Sequence, residues 1–405
     1  MCISSRNWCA TRCLLTAESM NSKQNPVVFS DMLSEEPDPG IARGLANDAF
    51  TSEAFLDLER QNLFPKCWLF AGRASQLPGS GDREPVEIAG QPLVMVRDGR
   101  NRIRVFHNVC PHRGSRIVPC SSKGDRTISC PYHRWTFNLD GSLLARPHFH
   151  GPDAHDTATA ASCDPTDRPR LSEVRCAQWF DWVFVNLDGQ AAPFEQVYRP
   201  AMERLALYPL SQFTFDAVES FEFESNWKLV AENWIDMYHI FSVHPDLDDF
   251  MVPGSRCGMS VDEAFTYNQY SMTRSSRAHG LVPAKGVEEV QGLVTFGLLF
   301  PAVGITVDST NVLIASFSPL AADRTRMDML FYFPEEVTDS DEYKDARQQY
   351  RDWWIGLNSE DQAVCRLLQL GRQSPAYDGG RFAPYWDQAT LHFQRSIIRH
   401  LGDQR

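Results

Sequence analysis

Short apolar runs bounded by turn residues dominate residues 65–190. The runs Cys67–Ala71, Pro85–Ile88, Pro92–Val96 and Ile103–Phe106 have strand length and are separated by Gly, Pro, Asp and Ser clusters. Asp98-Gly99 and Asp140-Gly141 are hairpin-turn dipeptides, and Asp188-Gly189 follows another run, Trp182–Val185. The pattern predicts a small all-β unit over 65–190, with the polar stretch from His148 to Pro169 as a surface loop. Ahead of it, Phe55, Leu56, Leu58 and Leu63 predict a helix over 51–63 with Thr51 or Ser52 as N-cap. After residue 190 the texture is mixed. Helical stretches are expected at 194–208, 226–243, 340–356, 359–370 and 386–401, and Gly371 and Gly402 stand at helix ends. Strand-like runs fall at 293–300, 303–307, 311–317 and 327–333. The expected organisation is therefore a helical segment over 20–64 that packs on the second domain, a β unit over 65–190, and an α+β domain over 191–405. No internal repeat is present.

Within the β unit, Cys110-Pro-His112-Arg-Gly114 and Cys130-Pro-Tyr-His133-Arg-Trp135 each offer one thiol and one imidazole. Zinc fingers usually pair cysteine with cysteine along the chain, whereas each of these segments mixes the two donors. The mixture suits a [2Fe–2S] centre with two Cys on one iron and two His on the other, zinc being the alternative. The prolines stiffen the loops, and Gly114 permits a tight turn.

The second constellation lies in Asn226-Trp-Lys-Leu-Val-Ala-Glu-Asn-Trp-Ile-Asp-Met-Tyr-His-Ile-Phe-Ser-Val-His-Pro245. Val230, Trp234, Met237 and Phe241 share one face of a continuous helix, and Glu232, Asp236 and His239 share another. Pro245 disfavours helix at His244, so the helix should end nearby and let His244 swing back towards His239. Two histidines and one carboxylate make the facial triad of non-haem Fe(II) oxygenases. Taken alone, His-x4-His also fits a structural pair or a zinc site. A third, distant carboxylate is needed. Asn358-Ser359-Glu360-Asp361 reads as a helix start, where Asp361 could instead complete a capping box with Asn358. Glu360, Asp246, Asp248 and Asp249 compete with it.

Cys-x-His, seventeen intervening residues and Cys-x-x-His resembles the Rieske signature. Ser115 and Tyr132 stand where the respiratory type carries a disulfide pair, so the resemblance is to the oxygenase or ferredoxin type. Arg134 departs from the family, which commonly has glycine there. Arginine resists positive φ, so the second loop is expected to turn differently. The Asn-Trp-Lys, Asp-x-Tyr-His and His-Pro run resembles the catalytic signature of Rieske non-haem iron oxygenase α subunits, as does Leu299-Phe300-Pro301.

That resemblance spans roughly residue 45 to the C-terminus. It implies a Rieske β domain joined to a helix-grip, START-like catalytic domain with an antiparallel sheet. It implies that Cys110, His112, Cys130 and His133 hold a [2Fe–2S] cluster. His239, His244 and Asp361 would bind mononuclear Fe(II), and Asp236 would couple that iron to a Rieske histidine, across subunits of a homotrimer. It further implies a mono- or dioxygenase taking electrons from a separate NAD(P)H-dependent reductase, directly or through a ferredoxin. No Gly-rich dinucleotide fingerprint is present in this chain. Two substrate branches follow: aromatic-ring hydroxylation, in many members with a β subunit, and oxidation of a methyl on a quaternary or tertiary amine such as betaine or carnitine. Cys130–Thr136 and Ala145–Phe149 look closer to the amine branch. An amine pocket needs an aromatic cage, for which Phe265, Tyr267, Tyr270 and Phe296 are the expected residues. Arg274, Arg277 and Lys285 could meet a substrate carboxylate. A rival of another class is an electron-transfer protein without mononuclear iron.

Composition narrows these readings. The 405 residues carry 39 Lys+Arg against 52 Asp+Glu, a formal charge of −13, which disfavours nucleic-acid partners. No run approaches the ~18 apolar residues of a membrane helix, so an integral membrane protein is not expected, and the expected location is cytoplasmic. Eleven cysteines, clustered beside histidines, point to metal in a reducing compartment rather than to disulfides. Residues 1–19 hold Arg6, Arg12 and a single acid, Glu18. They read either as a faint organellar transit segment or as an upstream start ahead of Met20.

Overall fold

The computed structural model describes residues 38, 40–157, 169–252, 254–255, 257–262, 264–273 and 279–402. The expected leader at 1–19 lies outside them. The N-terminal helical pattern resolves into α1 (Asp48–Thr51) and α2 (Glu53–Asn62). Ser52 separates them in extended backbone and caps α2 by accepting from the Phe55 amide.

The apolar runs that follow become β1 (Trp68–Arg73), β2 (Arg83–Ile88), β3 (Gln91–Arg97) and β4 (Ile103–His107). Next come β5 (Thr127–Ser129), β6 (Thr136–Asn138), β7 (Leu143–Arg146) and β8 (Asp156–Thr157), then β9 (Glu173–Trp179) and β10 (Trp182–Asn186). They form two antiparallel sheets, ordered β1-β10-β9-β4-β3-β2 and β5-β6-β7-β8. Val94, Val96, Phe106, Ile128 and Phe137 pack a core of their own beneath Cys110 and Cys130. The stretch from His148 therefore contains a short strand, β8, as well as loop.

Helices α3 (Phe194–Val197) and α4 (Arg199–Leu205) lead to the second region. Its seven-stranded antiparallel sheet comprises β11 (Phe213–Phe223), β12 (Ser260–Val261), β13 (Phe265–Ser271), β14 (Leu293–Leu299), β15 (Val303–Val307), β16 (Val312–Ala321) and β17 (Arg324–Pro334). Their order is β11-β17-β16-β15-β14-β13-β12. The other helices are α5 (Trp227–Ile235), α6 (Ile240–Val243), α7 (Pro245–Phe250), α8 (Glu335–Thr338), α9 (Lys344–Gly371) and α10 (Gln388–Gly402). Helix α5 lies between the sheet and α9, touching β14, β16 and α10 as well. The small β unit joined to an antiparallel sheet with helices is the expected fold class.

Three helical expectations are corrected. The stretch 226–243 is two helices, because the chain leaves α5 at Asp236 in extended conformation (φ −85°, ψ 115°). Phe241 is consequently 52% exposed rather than part of an apolar face shared with Val230 and Trp234. The stretches 340–356 and 359–370 are one 28-residue helix. Asn358 and Ser359 do not start a helix there. Their side chains donate back to the carbonyls of Trp354 and Ile355, one turn earlier, so the helix runs through. Gly371 belongs to that helix, and the residue beyond it, Arg372, is still right-handed.

A buried polar framework fixes α5. Asn226 caps it through the Lys228 amide and ties it to the turn between β16 and β17 by donating to the Ala322 carbonyl. Lys228, fully buried, places Nζ 2.7 Å from Glu59 Oε1 of α2, and Trp227 Nε1 donates to Glu59 Oε2 at 2.8 Å. Burial pushes the Glu59 carboxyl up and the Lys228 ammonium down, and each partner opposes the shift of the other. Removing one partner of such a pair leaves an uncompensated charge. Lys228→Met alone is expected to cost about 3–5 kcal/mol, read as a lower denaturation midpoint, and adding Glu59→Leu should recover part of that loss.

Candidate metal centres

The two Rieske-type segments form loops of the same construction. In the first, the Cys110 amide donates to Ser115 O at 2.8 Å and the Gly114 amide to Cys110 O at 3.0 Å. In the second, the Cys130 amide donates to Trp135 O at 2.8 Å and the Arg134 amide to Cys130 O at 3.1 Å. The residue four after each cysteine is left-handed: Gly114 at φ 71° and Arg134 at φ 58°. The expectation of a different turn at Arg134 is therefore corrected. Two backbone bonds impose the turn, and the exposed Arg134 side chain meets no obstacle.

Both thiols are buried while both imidazoles are exposed. Burial raises the Cys110 thiol, and the adjacent Cys130 raises it further. The His112 and His133 rings lie 4.8 Å apart. Trp135 stacks flat on His112 at 4.6 Å. Behind Trp135 sits Phe149, and the buried Arg146 guanidinium lies 3.8 Å from the Phe149 ring, braced by Asp156. The Ala145–Phe149 stretch thus buttresses one imidazole. Two sulfur donors inside and two nitrogen donors outside are chemically suited to the mixed ligation of a Rieske cluster.

The second set assembles from α5, α6 and α9. Asp236 Oδ1 accepts the Tyr238 amide at 2.5 Å, while its Oδ2 lies 3.2 Å from His239 Nδ1. His239 Nε2 is 3.5 Å from Asp361 Oδ1, and His244 Nε2 is 2.9 Å from the same oxygen. Asn233 Nδ2 also donates to it, at 3.1 Å. Ligating atoms of His239, His244 and Asp361 all lie within 4.8 Å of one another. Desolvation opposes charge on His239, but Asp236 and Asp361 outweigh it and hold its pKa at about 9. Burial raises the Asp361 carboxyl, and hydrogen bonds from the two histidines outweigh that and lower it to about 2. His239 Nδ1 is buried, and its approach to Asp236 lacks good hydrogen-bond geometry. Two imidazoles and a carboxylate converging in this way form a facial donor set that an Fe(II) ion fits.

These groups open into a cleft. Trp234, Phe296, Trp353, Trp354 and Tyr270 supply its aromatic walls, with Leu247 and Leu357 beside them. Trp234 lies nearly parallel to Phe296 (4.9 Å) and to Trp354 (6.1 Å), and its Nε1 donates to the Gly297 carbonyl. Of the four aromatics expected to form a cage, Tyr270 and Phe296 line the cleft. Phe265 and Tyr267 instead stack on each other in a separate cluster, where Arg204 donates to the Tyr267 hydroxyl. Lys285 is exposed and faces Glu336, and Arg274 and Arg277 lie outside the described residues. Glu232 does not join the site, because Gln394 binds it inside the core.

Two family models match this chain: the Rieske [2Fe-2S] domain over residues 67–160 and the ring hydroxylating alpha subunit (catalytic domain) over residues 210–403. The chain belongs to the Rieske non-haem iron oxygenase α subunits.

As such a subunit it carries a [2Fe–2S] cluster and a mononuclear iron, and it acts as the oxygenase component alongside a reductase. A carnitine monooxygenase oxygenase subunit of Acinetobacter pittii is 28% identical over 377 residues, covering 89% of this chain and 96% of the relative. A glycine betaine monooxygenase oxygenase subunit of Pseudomonas aeruginosa is 21% identical over 399 residues, covering 88% and 89%. A solved structure of the quaternary ammonium Rieske monooxygenase CntA, in complex with an inhibitor, shares the fold with a TM-score of 0.74. It is 24% identical, covering 89% of this chain and 96% of that one.

Sequence reasoning missed Trp353 and Trp354. Their signal was spacing: Trp354 precedes Asp361 by seven residues and Leu357 precedes it by four, so all three share a helix face. A further cluster among the described residues, His148, Asp153 and His155, is exposed. The Nδ1 atoms of both histidines there already accept backbone amides. In the α subunit's second domain Gly304 is required by the cleft, since a Cβ there would lie 2.4 Å from the Trp234 ring. Gly304→Ala is expected to displace Trp234, to destabilise by about 1–3 kcal/mol, and to weaken substrate binding. The visible absorption of the Rieske cluster should stay unchanged. Thermal unfolding and substrate titration check both outcomes.

Proposed function

We propose that this α subunit oxidises an N-methyl carbon of a quaternary or tertiary amine. The observation that carries the reading is the aromatic wall standing beside three converging donors, His239, His244 and Asp361. Aromatic faces attract a cation whose charge is spread over methyl groups, and they do so more strongly away from water. The names of the carnitine and glycine betaine relatives support that substrate class.

Cys110, His112, Cys130 and His133 hold the cluster in this reading, and His239, His244 and Asp361 hold the mononuclear iron. When bound, the two groups supply single electrons and the activation of dioxygen. The chain's own residues do the positioning. Trp234, Trp353, Trp354 and Phe296 orient the amine and keep water from it. Asp236 Oδ2 stands 3.2 Å from His239 Nδ1 with 28% of its side chain exposed, so in this reading it is placed between the iron site and whatever docks there. The net reaction consumes dioxygen, two electrons and two protons. It yields water and a hydroxymethyl amine, which collapses to formaldehyde and the demethylated amine.

The electrons come from an NAD(P)H-dependent reductase, directly or through a ferredoxin. A homotrimer suits the surface. Tyr238, Phe241 and Tyr385 are exposed around Asp236, and Tyr132 and Val109 are exposed beside the Rieske histidines. Such faces fit a neighbouring subunit's cluster tip against Asp236. Cytoplasmic residence accords with the seven cysteines among the described residues, all of them free. No helix among the described residues is long and apolar enough to cross a membrane.

Asp361→Ala should retain the Rieske absorption and lose mononuclear iron and turnover; normal turnover would reject Asp361 as ligand. In a single-turnover reaction of reduced, iron-loaded protein with N-methylated amines and aromatic acids, formaldehyde and a demethylated amine are expected. A ring-hydroxylated product would replace the amine reading with the aromatic one.

A further inference from the structure

We propose that Glu360 is a positioning residue for the iron site: it fixes the tautomer and orientation of His244 by accepting its Nδ1–H. The proposal rests on reading His244 and Asp361 as iron ligands.

Glu360 Oε2 lies 2.6 Å from His244 Nδ1, and Asp361 Oδ1 lies 2.9 Å from His244 Nε2. Consecutive residues on a helix point about 100° apart. Adjacent carboxylates of α9 therefore reach opposite edges of one ring. The two ring nitrogens face diverging directions, so Glu360 stands behind the imidazole and outside the space where His239, His244 and Asp361 converge. This separates Glu360 from Asp361 as ligand candidates.

A second carboxylate has a similar placement, though without a well-formed hydrogen bond. Asp236 Oδ2 stands 3.2 Å from His239 Nδ1, again on the edge away from Asp361. Each imidazole has a carboxylate at Nδ1 and presents Nε2 to the common site. A carboxylate accepting from one ring nitrogen leaves the lone pair on the other and makes it more basic, which strengthens a metal bond. The two carboxylates differ in location and in contact: Glu360 is within hydrogen-bond geometry of its imidazole, and Asp236 is not. Asp236 belongs to the same short segment as its histidine, whereas Glu360 comes from α9, so its bond also ties the segment after α6 to that helix. His244 needs this tie because it lies outside regular helix, at φ −122° and ψ 61°.

The experiment measures Fe(II) binding to cluster-loaded protein stripped of mononuclear iron. The wild type is compared with Glu360→Ala, Glu360→Gln and Asp361→Ala. Glu360 is 49% exposed in its side chain, so folding should survive the change; thermal midpoint and Rieske absorption verify this. Glu360→Ala is expected to weaken Fe(II) binding about 10–100-fold, the usual effect of losing such a partner. Glu360→Gln should recover most of the affinity, because its amide oxygen still accepts the Nδ1–H. Fe(II) affinity of Glu360→Ala within twofold of wild type, with Asp361→Ala unable to bind, would overturn the proposal alone. Equal weakening by Ala and Gln would also overturn it, since acceptance of the proton would then not be the role. Wild-type affinity in Asp361→Ala would overturn the ligand assignment beneath it.

Discussion

Asp236 divides its carboxylate between two tasks, and the geometry of the proposed iron site follows from that division. One oxygen accepts the Tyr238 amide, a local bond that competes with continuation of the helix. The other faces His239. Were α5 to continue, His239 and His244, five residues apart, would point in different directions. The break after Ile235 frees both imidazoles to turn towards one carboxylate of a distant helix. Trp234 holds the chain at the point of departure through its bond to Gly297 and its aromatic neighbours on two sides.

Such a break is tolerable only if the flanking helices cannot move. Buried amides provide much of that rigidity. Gln369 of α9 accepts the Asn226 amide and donates to the Phe50 carbonyl. Gln394 of α10 accepts the Leu45 amide and donates to Glu232. Together with Lys228 and Glu59 they tie the N-terminal segment, α5, α9 and α10 into one frame. Each of these bonds satisfies a group whose burial would otherwise be costly. Burial still leaves its mark on Glu232, whose carboxyl is pushed up to about 7 despite Arg372, Gln394 and Lys228. That residue belongs to the frame and not to the donor set of His239, His244 and Asp361.

The grouping of candidate donors was legible in the sequence where they lie close together. Cys110, His112, Cys130 and His133 occupy two short loops, and their residue types narrowed the metal before any fold was known. The carboxylate Asp361 was harder, since local pattern makes Asn358-Ser359 look like a helix start. Only the packing of α9 shows that these polar side chains bond back within the helix. The strand Phe213–Phe223 escaped notice for a similar reason. Its register shifts between Phe215 and Ala217, which interrupts the alternation that marks a strand. Arg134 misled in the other direction, because residue preference argued against a turn that two backbone bonds impose. The cleft walls were half visible: Tyr270 and Phe296 were named, whereas Trp353 and Trp354 required the register of a helix that had been split in two.

The continuity of α9 bears on which length changes the chain can accept. Loops absorb an inserted residue with little consequence. An insertion between Lys344 and Glu360 would instead rotate everything beyond it by about a quarter turn or more. Asp361 would leave the histidines, and its neighbour would be carried round with it. The stretch of helix before Asp361 therefore acts as a ruler, with the tryptophan pair of the cleft and the carboxylate of the proposed iron site marked off at fixed intervals along it. Cleft walls and converging carboxylate can change in kind along that ruler, but their separation in the chain cannot.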